Sequence, residues 1–163
     1  MTHEGRERWT NHHYFSEERE SWTQLTSDGD GYVFFYQRNR IEFGPVTRDV
    51  KVVFDPPMRS ALMPARVGLS WDGSWNGDTY GTYRYRFIDQ TFVDVGGVKV
   101  EAWVLDFLIR LRGENEGTVE GTVWLAPDYH LTVREHFIQD VQTGPGSYHA
   151  EWDIRLKSLE PRR

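Results

Sequence analysis

The chain contains no cysteine, which removes thiol nucleophiles, disulfide staples, iron–sulfur clusters and cysteine-based zinc sites. With 163 residues it is long enough to fold without staples, so this absence leaves the redox compartment open. Positive charge is also scarce: 19 Lys plus Arg face 25 Asp plus Glu, for a formal net charge of −6. A sequence-independent nucleic-acid binder needs clustered Lys and Arg to displace phosphate counterions, so nucleic acid is not an expected partner. No window approaches the roughly 20 apolar residues of a spanning helix, and no apolar stretch reads as a signal peptide. The expectation is a chain that does not span a membrane. Helical stripes are missing too, and with them the usual setting for a phosphate-binding Gly loop. The Gly-x-Ser-x-Gly nucleophile elbow is absent.

What the chain does have is rings. Aromatic residues make up 15%, as seven Trp, eight Tyr and nine Phe, and each can bury roughly 150–250 Å². Period-two alternation is clearest where Tyr148, Ala150, Trp152, Ile154 and Leu156 interleave with His149, Glu151, Asp153, Arg155 and Lys157. Gly81, Tyr83, Tyr85 and Phe87 alternate with Thr82, Arg84 and Arg86, and Val119, Gly121, Val123 and Leu125 behave alike. Turn signals separate candidate strands at 22–26, 32–37, 40–44, 49–54, 66–71, 80–94, 98–112, 118–125, 130–141 and 148–159. Asp55-Pro56-Pro57, Asp72-Gly73, Asn76-Gly77-Asp78 and Gly96-Gly97 are among those signals. Residues 1–21 read as a polar N-terminal arm with room for one short helix, and 22–163 as a single all-β domain. Short turns make it an antiparallel meander.

Two long segments change their apolar parity. Val98, Val100, Ala102 and Val104 give way to Leu105, Phe107, Ile109 and Leu111, with Trp103 at the changeover. In 80–94, Tyr83, Tyr85 and Phe87 give way to Ile88 and Phe92. A strand that changes its buried face carries a bulge or twists between environments. The expectation is a curved meander, a half-barrel or partly closed barrel of about 8–10 strands, with a flat sandwich as the alternative. Tyr83, Tyr85, Phe87, Val119, Val123, Leu125, Ala150, Trp152 and Ile154 are expected to face inward.

The segments Val67-Gly68-Leu69-Ser70-Trp71-Asp72-Gly73, Val95-Gly96-Gly97-Val98-Lys99-Val100-Glu101-Ala102, Trp124-Leu125-Ala126-Pro127 and Leu131-Thr132-Val133-Arg134-Glu135 resemble those of uncharacterised, largely actinobacterial extracytoplasmic domains. These are distantly similar to the half-barrels of periplasmic lipoprotein carriers. The resemblance implies a secreted or envelope-associated β domain with no catalytic residues to carry over. It places the protein outside the cytoplasm if Met1 is not the native start, and in the cytoplasm otherwise.

The rings are the leading functional candidates. Trp71, Trp75, Tyr83, Tyr85, Trp103 and Trp124 could line a concave surface for an apolar or amphipathic small molecule, or pack the core. Asp106 joins them because it sits in an apolar run, where a buried carboxylate needs a partner. Arg84, Arg86 or Arg110 could supply it, making an ion pair; otherwise Asp106 awaits a polar ligand group. Asp72, Ser74, Asn76 and Asp78 resemble the opening of a calcium loop, but Tyr83 stands where the closing Glu belongs, and a turn is the better reading. Asp28 and Asp30 are read likewise. His3, His12, His13, His130, His136 and His149 show no zinc spacing, although a hairpin could bring His136 near His149. No metal, cofactor or catalytic residue is assigned. The favoured function is non-enzymatic binding of a lipid-like ligand. A hydrolase would instead need two acids about 5–10 Å apart, or an acid and a His, in a cleft. A structural homodimer joined through a sheet edge is the third reading.

Overall fold

The computed structural model describes residues 2–3, 8–16, 19–43, 46–77, 79–144 and 146–160. The described strands are β1 (Thr2–His3), β2 (Arg8–Ser16), β3 (Arg19–Ser27), β4 (Gly31–Phe43), β5 (Val46–Leu62), β6 (Ser70–Trp75), β7 (Thr79–Val95), β8 (Val98–Gly113), β9 (Asn115–Ala126), β10 (Leu131–Thr143) and β11 (Gly146–Arg155). They form two antiparallel sheets with orders β1-β2-β3-β4-β5 and β11-β10-β9-β8-β7-β6. Within each sheet, sequence neighbours are sheet neighbours, as short turns require. Each sheet is open, with its first and last strands unpaired to one another. The half-barrel expectation is therefore corrected: among the described residues there is no closed or strongly curled barrel. The parity change in β7 coincides with a register shift between Phe87 and Asp89, while β8 stays in continuous register with β9 and buries Val100, Ala102 and Val104 on one face and Leu105 and Phe107 on the other. A bulge moves side chains to the other face without requiring the sheet to close.

Two compact units are present, residues 1–64 with 75–77 and residues 65–74 with 78–163. Within the expected arm, Arg8–Ser16 pairs with Arg19–Ser27. Ladder bonds use the backbone alone, so a polar segment joins a sheet wherever a neighbour offers its edge.

In the first unit, β4 joins the separately expected 32–37 and 40–44, and β5 runs through Asp55-Pro56-Pro57. The register jumps from Phe34 opposite Met58 to Tyr36 opposite Val53, so both prolines fall in a bulge where no ladder donor is needed. Leu25, Tyr32, Phe54, Met58, Ala61 and Trp75 are buried, with Trp75 edge-on to Phe54 at 5.2 Å between centroids. Asp28 accepts two bonds from the Arg59 guanidinium and one from the Asp30 backbone N–H. It is engaged in an ion pair and a turn.

In the second unit β6 begins at Ser70, so Asp72-Gly73 lies inside a strand where a turn was expected. The glycine has a packing reason. An ideal Cβ on Gly73 would stand 2.6 Å from Cζ of Tyr83, so only a residue without a side chain lets that ring lie flat against the strand.

Candidate functional site

Residues directly opposite one another in an antiparallel ladder share a face. Tyr85 faces Phe107, Phe107 faces Gly121, Gly121 faces Phe137 and Phe137 faces Trp152. One apolar row therefore crosses β7 to β11. The rows beside it run Phe87, Leu105, Val123, Glu135, Ile154 and Tyr83, Ile109, Val119, Gln139, Ala150. Trp71 on β6 stacks on Tyr85 with centroids 5.5 Å apart and planes at 8°, and Tyr85 stacks on Phe107 at 5.7 Å. Trp103 meets Phe87 edge-on at 5.7 Å, and Tyr83 meets Tyr85 at 5.9 Å. Offset and edge contacts of this kind contribute about 0.5–1.5 kcal/mol each beyond area burial.

Depth changes along this face. Phe87 is 0% exposed and Leu105 1%, with Trp71, Tyr83, Tyr85 and Phe107 all below 10%. From β9 onward Val119, Val123, Leu125, Phe137, Ala150, Trp152 and Ile154 are only half-buried. Burial pushes the Tyr85 phenol far above its ordinary range, and the nearby charge of Glu135 and Tyr83 add to the shift. That phenol is a permanent neutral hydrogen-bonding group.

At the β7–β8 hairpin end the opposite face holds a second cluster of Val95, Val100, Ala102, Ala126 and Val133, joined by Val93, Trp124, Leu156 and Leu159. The chain after β11 crosses here, where the Leu156 N–H donates to the Val133 carbonyl at 2.9 Å. Farther along, that opposite face is wet. Asp106 is exposed and accepts from Thr122 Oγ1 at 2.8 Å. Although Arg86 stands opposite it in the ladder, no ion pair joins Asp106 to Arg84, Arg86 or Arg110 among the described residues. The expected structural ion pair is replaced by a hydroxyl contact, and strand alternation places Asp106 on the face opposite Leu105 and Phe107.

Four other groups organise this wet face. His149 Nδ1 lies 2.5 Å from Asp140 Oδ1, and that carboxylate raises the imidazole pKa. His136 Nε2 lies 3.6 Å from Glu151. The two histidines thus each take an acid across the hairpin. Asp153 is held down to about 2 by Arg155 and then Arg134, and Arg134 also caps the Trp124 ring at 4.5 Å. These pairs are well exposed, so water screens them and they resemble ordinary surface pairs more than a desolvated acid–base centre. No group of three or more His, Asp or Glu suited to a metal occurs among the described residues, Asp78 lying outside them.

The seven candidate residues are thus distributed. Trp71, Tyr83, Tyr85 and Trp103 share the apolar face; Trp124 and Asp106 lie on the reverse; Trp75 belongs to the first unit. Phe107 and Phe137 complete the row; Phe107 was legible from its parity with Leu105, whereas Phe137 joins it only through the register that sets it opposite Trp152. Gly121 was readable only as one more alternating position. An ideal Cβ there would stand 2.6 Å from Phe137 Cα, so the gap in the row lets neighbouring strands approach. No helix among the described residues is long and apolar enough to cross a membrane, which leaves strands out of account. No protein-family model matches the chain, and no curated protein or solved structure matches it.

Proposed function

We propose that the second unit is a non-enzymatic, extracytoplasmic binding domain whose apolar sheet face takes a lipid-like or otherwise apolar ligand. The observation that carries this reading is the change of depth along one mainly apolar face. Its rings are sealed at β7 and β8 and half-open at β9 to β11. Trp71, Tyr83 and Tyr85 hold the closed end rigid. Trp103 stands at the rim, and Val123, Leu125, Phe137, Trp152 and Ile154 form the accessible part. Apolar surfaces with a few fixed polar groups are the common form of small-molecule sites, and Glu135 and Gln139 supply such groups within the rows. The extracytoplasmic location rests on the resemblance of its segments to uncharacterised extracytoplasmic domains; the ligand class rests on the apolar face alone.

Hydrolysis by an acid–His pair has weaker support, since His136–Glu151 and His149–Asp140 are hydrated surface pairs. Native mass spectrometry of protein purified without detergent, followed by lipid extraction, tests the binding reading. The expected result is an adduct of lipid mass that disappears on extraction. A spectrum with only the bare chain, before and after adding an acyl-chain probe, would count against it.

A further inference from the structure

Strand β11 ends its sheet, paired on one side with β10 and on the other with no described strand. Its ten residues, Gly146–Arg155, contain no proline. Of the other terminal strands, β1 has two residues, β6 has six, and β5 carries Pro56 and Pro57. A free, regular edge pairs readily with another strand.

We infer that β11 is a dimerisation edge, pairing antiparallel with β11 of a second copy about a two-fold axis through Ala150. A two-fold normal to the sheet preserves faces, so the residue at its centre meets itself and its neighbours meet in reciprocal pairs. With Ala150 at the centre, His149 stands opposite the partner's Glu151, Tyr148 opposite the partner's Trp152, and Ser147 opposite the partner's Asp153. Each contact occurs twice. The neighbouring registers are worse. Centring on Glu151 sets that carboxylate against itself, and centring on Trp152 sets Glu151 against Asp153 and His149 against Arg155. Centring on His149 sets two imidazoles together. Like charges directly opposite are destabilising and opposite charges stabilising in such ladders.

The Ala150 register also extends both faces of the sheet. On the apolar side, the Phe137–Trp152 pair, 6.4 Å between centroids, gains the partner's Tyr148 as the next ring in the row. On the wet side, His149 already uses Nδ1 for Asp140, which leaves Nε2 to donate to the partner's Glu151. Asp140 and His136 on β10 and Glu151 on β11 are the ionisable neighbours of this contact within one chain.

Because the chain has no cysteine, single-cysteine variants read the register directly. Opposed Cα atoms in an antiparallel ladder lie about 4.5–5.5 Å apart, inside the disulfide range. Ala150→Cys should cross-link to itself under mild oxidation, whereas Ile154→Cys, which would face the partner's Gly146, should not. By analytical ultracentrifugation the unmodified chain should dimerise reversibly. Glu151→Lys should weaken that dimer about tenfold or more, by removing the acceptor of His149 Nε2 on both sides of the axis. A monomer at every concentration would overturn the proposal, as would equal cross-linking of the two cysteine variants or a dimer indifferent to Glu151→Lys. The sedimentation of the unmodified chain decides the matter even if a variant fails to fold.

Discussion

Strands β7 and β11 carry the same alternation and reach different depths. In β7, Gly81, Tyr83, Tyr85 and Phe87 are buried between exposed Thr82, Arg84 and Arg86. In β11, Tyr148, Ala150, Trp152 and Ile154 are only half-buried between exposed His149, Glu151, Asp153 and Arg155. Sequence parity therefore decides which face a side chain joins, while position in the sheet decides how much water it loses. β7 lies between β6 and β8, and β11 has a neighbour on one side only. The half-buried end of the apolar face is the part for which we propose ligand binding.

The sharpest way to break this comparison is to truncate a ring at each end. Phe87→Ala should cost about 3–5 kcal/mol, the usual range for a fully buried ring including its cavity. Chemical denaturation of the two variants side by side gives the answer. Trp152→Ala should cost less, about 2–3 kcal/mol, because part of its surface is still in water. Equal losses would mean that depth does not differ between the two strands. Next comes Gly121→Ala, expected to cost about 1–3 kcal/mol by forcing β9 away from Phe137 on β10. No change there would show that the two strands can separate freely.

The wet face sharpens the comparison through pH. Asp153 is depressed from 3.8 to about 2, so its contribution is present above pH 3.8 and lost as pH falls through about 2. His149 is raised above 6.5 by Asp140, so its contribution is present below pH 6.5 and lost as pH rises through the folded value. The two pairs act on opposite limbs of the stability profile. NMR titration should find the His149 imidazole above 6.5, returning toward it in Asp140→Asn, and Asp153→Asn should flatten only the acid limb. The smallest effect belongs to Asp106→Asn, expected within about 0.5 kcal/mol of the parent in the same denaturation assay. The Thr122 hydroxyl can donate to an amide oxygen as it does to the carboxylate.

Much of the second sheet was legible because alternation is a local signal. The inward assignments of Tyr83, Tyr85 and Phe87 hold, and the parity change in 98–112 corresponds to adjacent buried Val104 and Leu105. What escaped was non-local. Nothing near Asp106 reveals that its face is wet there, since that depends on which strands cover it. Arg8–Ser16 joins a sheet through backbone bonds that polar composition does not announce. Pro56 and Pro57 read as a stop, yet a bulge carries β5 past them. Gly73 reads as a turn, yet its role is to receive the Tyr83 ring. The same parity signal is satisfied by a curled or an open sheet, which is why the half-barrel did not follow.

The central claim is that the half-covered end of the apolar face binds an apolar ligand. Its most direct test is equilibrium titration of the full chain with a fluorescent long-chain fatty acid, comparing the parent with Phe137→Ser and Val53→Ser. Phe137 lies in the apolar row, and Val53 is a 62% exposed residue of the first unit. The account predicts saturable binding that Phe137→Ser weakens about tenfold or more, the equivalent of one ring's burial, and that Val53→Ser leaves unchanged. Absence of saturable binding, or an equal loss in both variants, would contradict it.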